Sequence, residues 1–227
     1  MSVFDYGLDD ESSALSPQFA AAHRAMVAAA TDPAHLDVLT QHLIGLAVSA
    51  AVTHLDRDAM RQHIAAARDA GASERQLIEV LQLASVLGMH TIVIGAPALA
   101  AHAPEAFEGE LTARQARIKA EMLERRGYWP EVFEPLLRLD PDFFEASAQF
   151  QDLAYEGEID AKTRELIFTA IDTSTTHMYA NAQRHIELAL AFGASPREVM
   201  ATLELTSLIG VKSYVAGIAA LGEQVPG

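Results

Sequence analysis

The sequence predicts an all-α fold built from two copies of one helical module, and three observations predict it. The chain repeats itself: "HIAAARDAGASERQLIEVLQLASVLGMHTIVIGAPAL" (63–99) aligns without a gap with "HIELALAFGASPREVMATLELTSLIGVKSYVAGIAAL" (185–221), an offset of 122. Upstream the offset becomes 123, so that "TQHLI" (40–44) meets "TRELI" (163–167) and Thr53-His54 meets Thr176-His177. Collinear blocks that drift by single residues mark a duplicated module. Apolar residues also run in helical blocks closed by cap signals, and no segment shows the strict alternation between hairpin turns that strands require.

Each module opens on a similar stretch, "SPQFAAAHRAM" (16–26) in the first and "DPDFFEASAQF" (140–150) in the second. In "IELALAFGA" apolar residues fill Ile186 to Phe192, and Gly193 follows as a residue able to take positive φ beyond a helix end. Ser195-Pro196-Arg197-Glu198 then reads as an N-cap, a first-turn proline and the reciprocal glutamate of a capping box; Ser73 and Gln76 share the spacing. "LIEVLQLASVLG" and "VMATLELTSLIG" follow as buried helices expected to close at Gly88 and Gly210. Between the modules, "LTARQARIKAEMLERRG" is an amphipathic charged helix stopped at Gly127, and "GYWPEVFEPLLRLDPDFF" is turn-rich and aromatic. The expected organisation is a first module over 1–102, a helical insert and linker over 103–139, and a second module over 140–227.

Composition excludes several function classes. A net charge of -15 repels nucleic acid and anionic membrane surfaces, so neither is an expected partner. Without cysteine there is no disulfide, thiolate metal site or thiol nucleophile. The acidic start "MSVFDYGLDDESS" lacks the apolar core of a signal peptide, and the apolar run from Ile92 to Ala101 is too short to span a bilayer. A cytoplasmic location is therefore expected. Dinucleotide fingerprints, phosphate loops and nucleophile elbows are absent.

One stretch is out of character. "IDTSTTHMYANAQRHIELALAFGAS" (171–195) places His177, Tyr179, Asn181 and His185 within nine residues of an otherwise apolar region. His177, Asn181 and His185 lie at i, i+4 and i+8, a stripe along one face if the helix is continuous. Glu165 on the preceding helix is placed to meet that stripe. The bland alternatives are that Glu165 pairs with Arg164 or Arg184, and that His185, like its twin His63, is a packing histidine. The first module is poorer: His42 stands where Glu165 does, and Tyr179 and Asn181 have no clear counterparts. His54 and His63, nine apart, would face opposite sides of a regular helix. His90 and Lys212 correspond across the repeats and are candidates to reach a pocket from the facing module. His23, His35 and His102 read as solvated surface or loop residues.

The order Thr163-Arg164-Glu165-Leu166-Ile167, then His177, then His185 through Gly193-Ala194-Ser195 and Glu198, then a glycine-broken helix pair, resembles the carboxymuconolactone decarboxylase and AhpD-like superfamily. The resemblance covers both repeats. It implies an orthogonal helix bundle that assembles into symmetric homo-oligomers, a trimer for a duplicated chain. In the peroxidase branch a C-x-x-C pair does the chemistry, and those positions fall here on Met178 and Asn181, so thiol peroxidase activity is excluded. The decarboxylase branch remains: a cofactor-independent acid–base lyase or isomerase acting on a small carboxylated lactone or enol-type substrate. Such a substrate is its own electron sink, so no cofactor or metal is expected. The roles implied are His177 as proton donor, His185 with Glu165 as an orienting pair, and Tyr179, Asn181, His90 and Lys212 as substrate-binding groups. Two rival readings are a non-catalytic oligomeric ligand-binding protein and a metal site of Glu165, His177 and His185.

Overall fold

The computed structural model describes residues 2–174 and 179–222, with the backbone alone for 179–180 and 221–222. In chain order the helices are α1 (Asp10–Leu15), α2 (Pro17–Ala30), α3 (Val38–Ala50), α4 (Arg57–Asp69), α5 (Glu74–Ser85), α6 (His90–His102), α7 (Ala113–Arg126), α8 (Glu134–Leu139), α9 (Pro141–Tyr155), α10 (Ala161–Thr173), α11 (Tyr179–Ala191), α12 (Pro196–Ser207) and α13 (Lys212–Gly222). No strand occurs among the described residues. The duplication is structural as well as sequential, since α3 and α10 begin and end at the same offset of 123 residues.

Local chemistry explains the boundaries. Asp37 and Asp160, also 123 apart, cap α3 and α10 by accepting from the N–H groups of Thr40 and Thr163. The capping box at Ser195 and Glu198 forms as expected, and so does the reciprocal pair of Ser73 and Gln76. Gly71 and Gly193 take φ of 99° and 94°, and the N–H after each reaches back to Ala67 and Ala189 to satisfy a helix-end carbonyl. Gly127 ends α7 in the left-handed region.

Gly88 and Gly210 behave differently from expectation. Neither takes positive φ, and the chain tightens into 3-10 turns at Val86–Met89 and Leu208–Val211 before α6 and α13 resume. A glycine closes a helix only where the chain must turn left-handed; here it continues to wind. Counted through these turns, Glu74–His102 and Pro196–Ala220 are long and apolar enough to cross a membrane by length and composition, weak evidence that protein interiors also satisfy. The stretch read as turn-rich after Gly127 contains α8 and a 3-10 turn at Glu131–Phe133.

The chain divides into two compact units, residues 1–85 with 157–227, and residues 86–156. The first contains most of both modules. At its centre α3 packs on α4, α5, α10 and α12, and α10 packs reciprocally on α11, α12, α3 and α5. Leu43, Ile44 and Leu46 of α3 and Leu166, Ile167 and Ile171 of α10 are buried, each worth roughly 1.5–3 kcal/mol of hydrophobic burial. Glu79 of α5 ties the modules together: its Oε2 accepts from the N–H groups of Glu158 (2.9 Å) and Ile159 (3.1 Å), just before α10. A Cβ on Gly157 would overlap that carboxylate, which is why glycine stands there.

The second unit has its own core, in which Ile118 and Met122 of α7, Leu137 of α8, and Phe144 and Ala148 of α9 close around Phe133. Lys119 lies over the Trp129 ring at 4.7 Å. A groove of about 290 Å³ runs between α7 and α9, lined by Ile118, Phe144 and Ala148 with Glu121, Arg125 and Glu145 at its edge. Arg125 is paired with Asp152, and this groove holds no histidine or carboxylate pair suited to proton transfer.

Candidate active site

α10 is buried on nearly every side yet carries two carboxylates on one face. Glu165 and Asp172 are seven residues apart, two helical turns, and are 3% and 2% exposed. Buried charge of this kind persists only with partners. Across the α10–α11 contact, His185 donates from Nδ1 to Glu165 Oε2 at 2.5 Å. Its other nitrogen, Nε2, faces Asp172 Oδ2 at 3.7 Å, a distance for electrostatic attraction rather than a direct hydrogen bond. Phe168, between the two acids on α10, stacks on the imidazole at 4.6 Å and 23°. The ring is thus fixed by Glu165, Asp172 and Phe168 together.

The two acids differ in acidity. Burial pushes the Asp172 carboxyl up to about 6; the His185 imidazole pulls it down and the Glu165 carboxylate raises it further. Near neutral pH Asp172 is therefore poised to gain or lose a proton beside an imidazole nitrogen.

Glu165 and His185 are the two sequence-chosen residues that the structure brings together. Glu165 pairs with His185, not with an arginine; Arg184 lies 3.9 Å from Glu187 instead. Asn181 sits on α11, half-buried and one turn before His185. His177 and the side chain of Tyr179 lie outside the described residues, and α11 itself is described from Tyr179. Lys212, at the start of α13, pairs with Asp56 Oδ2 at 2.5 Å and so engages the N-cap of α4. His90 begins α6 in the other compact unit.

Two histidines differ from the sequence reading, His23 and His54. His23 is buried, with Nε2 3.9 Å from Asp5, because the N-terminal segment folds over α2. His54 lies in the turn before α4 rather than on it, because Asp56 caps that helix. His35 is half-buried and meets Arg197 at 3.1 Å; His102 is exposed as expected.

The corresponding place in the first module is closed. His42 and His63 face each other through Nδ1 atoms at 3.2 Å, the geometry of Glu165 and His185 with the carboxylate replaced. Gly45 stands where Phe168 does, and a Cβ there would overlap the His63 ring. The aromatic partner comes instead from the N-terminus: Phe4 stacks on His42 at 5.4 Å and 15° and lies 4.9 Å from His63. Ser49 replaces Asp172. Burial first, and the neighbouring His42 second, hold His63 down at about 3, against the pull of Asp56. Tyr6, pushed up mainly by burial, completes the plug.

Asp172 is the residue that sequence reasoning missed. Its signal was present in "ELIFTAID", an acid two turns after Glu165 in an apolar helix. Phe4 had no comparable signal, since nothing local says that a chain end will fold onto a distant histidine.

Comparison with known proteins identifies the family. The profile of the carboxymuconolactone decarboxylase family matches residues 17–102 and 141–221. A crystal structure from Burkholderia xenovorans LB400 superposes with a TM-score of 0.84 at 36% identity, covering 93% of this chain and 88% of that one. By name that protein is a gamma-carboxymuconolactone decarboxylase subunit, an assignment its own description leaves open. No curated protein matches the chain. Two profile matches that coincide with the two repeats, and a superposition that runs through both, establish that this chain belongs to the carboxymuconolactone decarboxylase family, as a two-module member without the C-x-x-C pair.

Proposed function

We propose that the chain is an acid–base lyase of the decarboxylase type, acting on a small carboxylated lactone or enol-type substrate in the second module. The observation that carries this reading is the Glu165–His185 hydrogen bond at 2.5 Å, in which a buried carboxylate orients a partly buried imidazole. Loss of carbon dioxide leaves an electron pair that delocalises into the lactone carbonyl, and the enzyme must stabilise that dienolate and return a proton to carbon. In this scheme His177 donates the proton and Glu165 fixes His185. Tyr179 and Asn181 contact the substrate, and the chemistry runs without a cofactor.

We place the enzyme in the cytoplasm as a homotrimer. Ile94 and Leu99 leave large apolar surface on α6, which self-association would cover, and the Burkholderia relative is named a subunit. Sedimentation velocity giving about three times 24.5 kDa is the result this requires, and a monomer defeats it.

The reaction itself is tested in deuterated water with a carboxymuconolactone-type substrate. The expected result is stoichiometric carbon dioxide and one solvent deuteron on carbon in the product. Carbon dioxide release no faster than in buffer alone would remove the decarboxylase reading.

A further inference from the structure

We propose that Asp172 is a proton-holding residue of the second-module site, exchanging its proton with His185 Nε2 while Glu165 holds the opposite ring nitrogen. The inference rests on the acid–base reading above and adds to it a residue and a direction.

The geometry has the logic of an orienting acid, an imidazole and a working group. Glu165 accepts from Nδ1, which fixes the tautomer and leaves Nε2 aimed at Asp172. Protonated Asp172 can give its proton to the Nε2 lone pair, leaving an imidazolium between two carboxylates; the reverse step restores the acid. One proton moves and nothing else is consumed. The 3.7 Å separation leaves a small closure to complete, as is usual before substrate binds. Asp172 stands at the end of α10, where the chain continues through the Ser174 C-cap to the segment that carries His177.

Among the described residues, the charged groups on the helices packed against α10 are engaged or exposed, and on α11 Arg184 lies beside Glu187. α3 brings only His42, held by His63. α5 brings Glu79, which holds the turn at 158–159, and Glu74, which pairs with Arg68; its Arg75 is exposed. On α12, Arg197 pairs with Glu204, and Glu198 with Lys162. A purely structural aspartate would have been as well served by the hydroxyl found at Ser49, which needs no desolvation of a charge.

The test is a carboxyl carbon-13 titration of the full-length protein labelled at aspartate, with the Asp172 resonance assigned by its loss in Asp172→Asn. The expected midpoint is near pH 6, about a hundredfold less acidic than a surface aspartate. In Glu165→Gln the midpoint should move toward the ordinary value, because a facing anion is gone. A native midpoint among the surface aspartates overturns the proposal. This readout needs no substrate, so it stands or falls apart from the decarboxylase reading. Where turnover is detected, Asp172→Asn should also lose the limb of the pH–rate profile near 6, and an unchanged profile overturns the relay. If that variant fails to fold, Asp172 remains assignable in the native protein by its response to Glu165→Gln.

Discussion

Glu165→Gln is expected to lower kcat/KM for lactone decarboxylation by about 10²–10⁴-fold, the range that one positioned acid–base group supplies. The substitution is chosen for what it leaves in place. The glutamine Oε1 still accepts from His185 Nδ1, so ring orientation and the stack on Phe168 persist, and almost no volume changes. What disappears is the negative charge that stabilises an imidazolium. Glu165→Ala would mix this with a cavity beside α11. If Glu165 served packing alone, Gln would alter stability slightly and turnover hardly at all. A fall in kcat/KM of less than tenfold, with normal unfolding by urea, would therefore remove Glu165 from the chemistry. The same assay on His42→Gln separates the modules: His63 is fully buried, Phe4 stacks on the half-buried His42, and turnover should be untouched.

The sequence carried the fold because its signals are local and occur twice. Asp37 and Asp160 at N-caps, Ser73 and Ser195 opening capping boxes, and Gly71 and Gly193 in left-handed positions each act within a turn of the residue that shows them. Gly88 and Gly210 misled, since glycine permits a left-handed turn without requiring one. The Glu165–His185 pair was legible because adjacent helices α10 and α11 form a hairpin, which places the two residues opposite each other. Asp172 carries a fainter signal, a single acid two turns after Glu165 in an apolar helix. The N-terminal plug was not legible. Phe4, Tyr6 and Leu8 are few and flank acidic residues, and Phe4 and Tyr6 pack on imidazoles that come together only once α3 and α4 are packed.

The two modules should pull stability in opposite directions as pH falls, and Asp172→Asn should expose this. The unfolded chain protonates His63 near pH 6.5, the folded protein only near pH 3. The unfolded state therefore binds more protons in that window, and acid destabilises the fold by about 4–5 kcal/mol across it. Asp172 has the opposite sign. Folded, it takes its proton near pH 6; unfolded, near the ordinary 3.8, so protonation between those values favours the fold by about 3 kcal/mol. From pH 6 to pH 4 the two oppose each other, with His42, also held down by burial, adding to the His63 side, and the loss steepens once Asp56 and Asp160, whose carboxyls are held below the usual range, begin to protonate. Asp172→Asn removes one side of the balance. Urea unfolding should find the variant more stable than wild type at pH 7, because a buried charge is gone, and falling by about 2 kcal/mol more between pH 6 and pH 4. Parallel curves for the two proteins would mean that Asp172 titrates like a surface acid. Crossing curves would mean that the second module gives up stability at neutral pH to keep a titratable acid beside His185, where Ser49 spares the first module that cost.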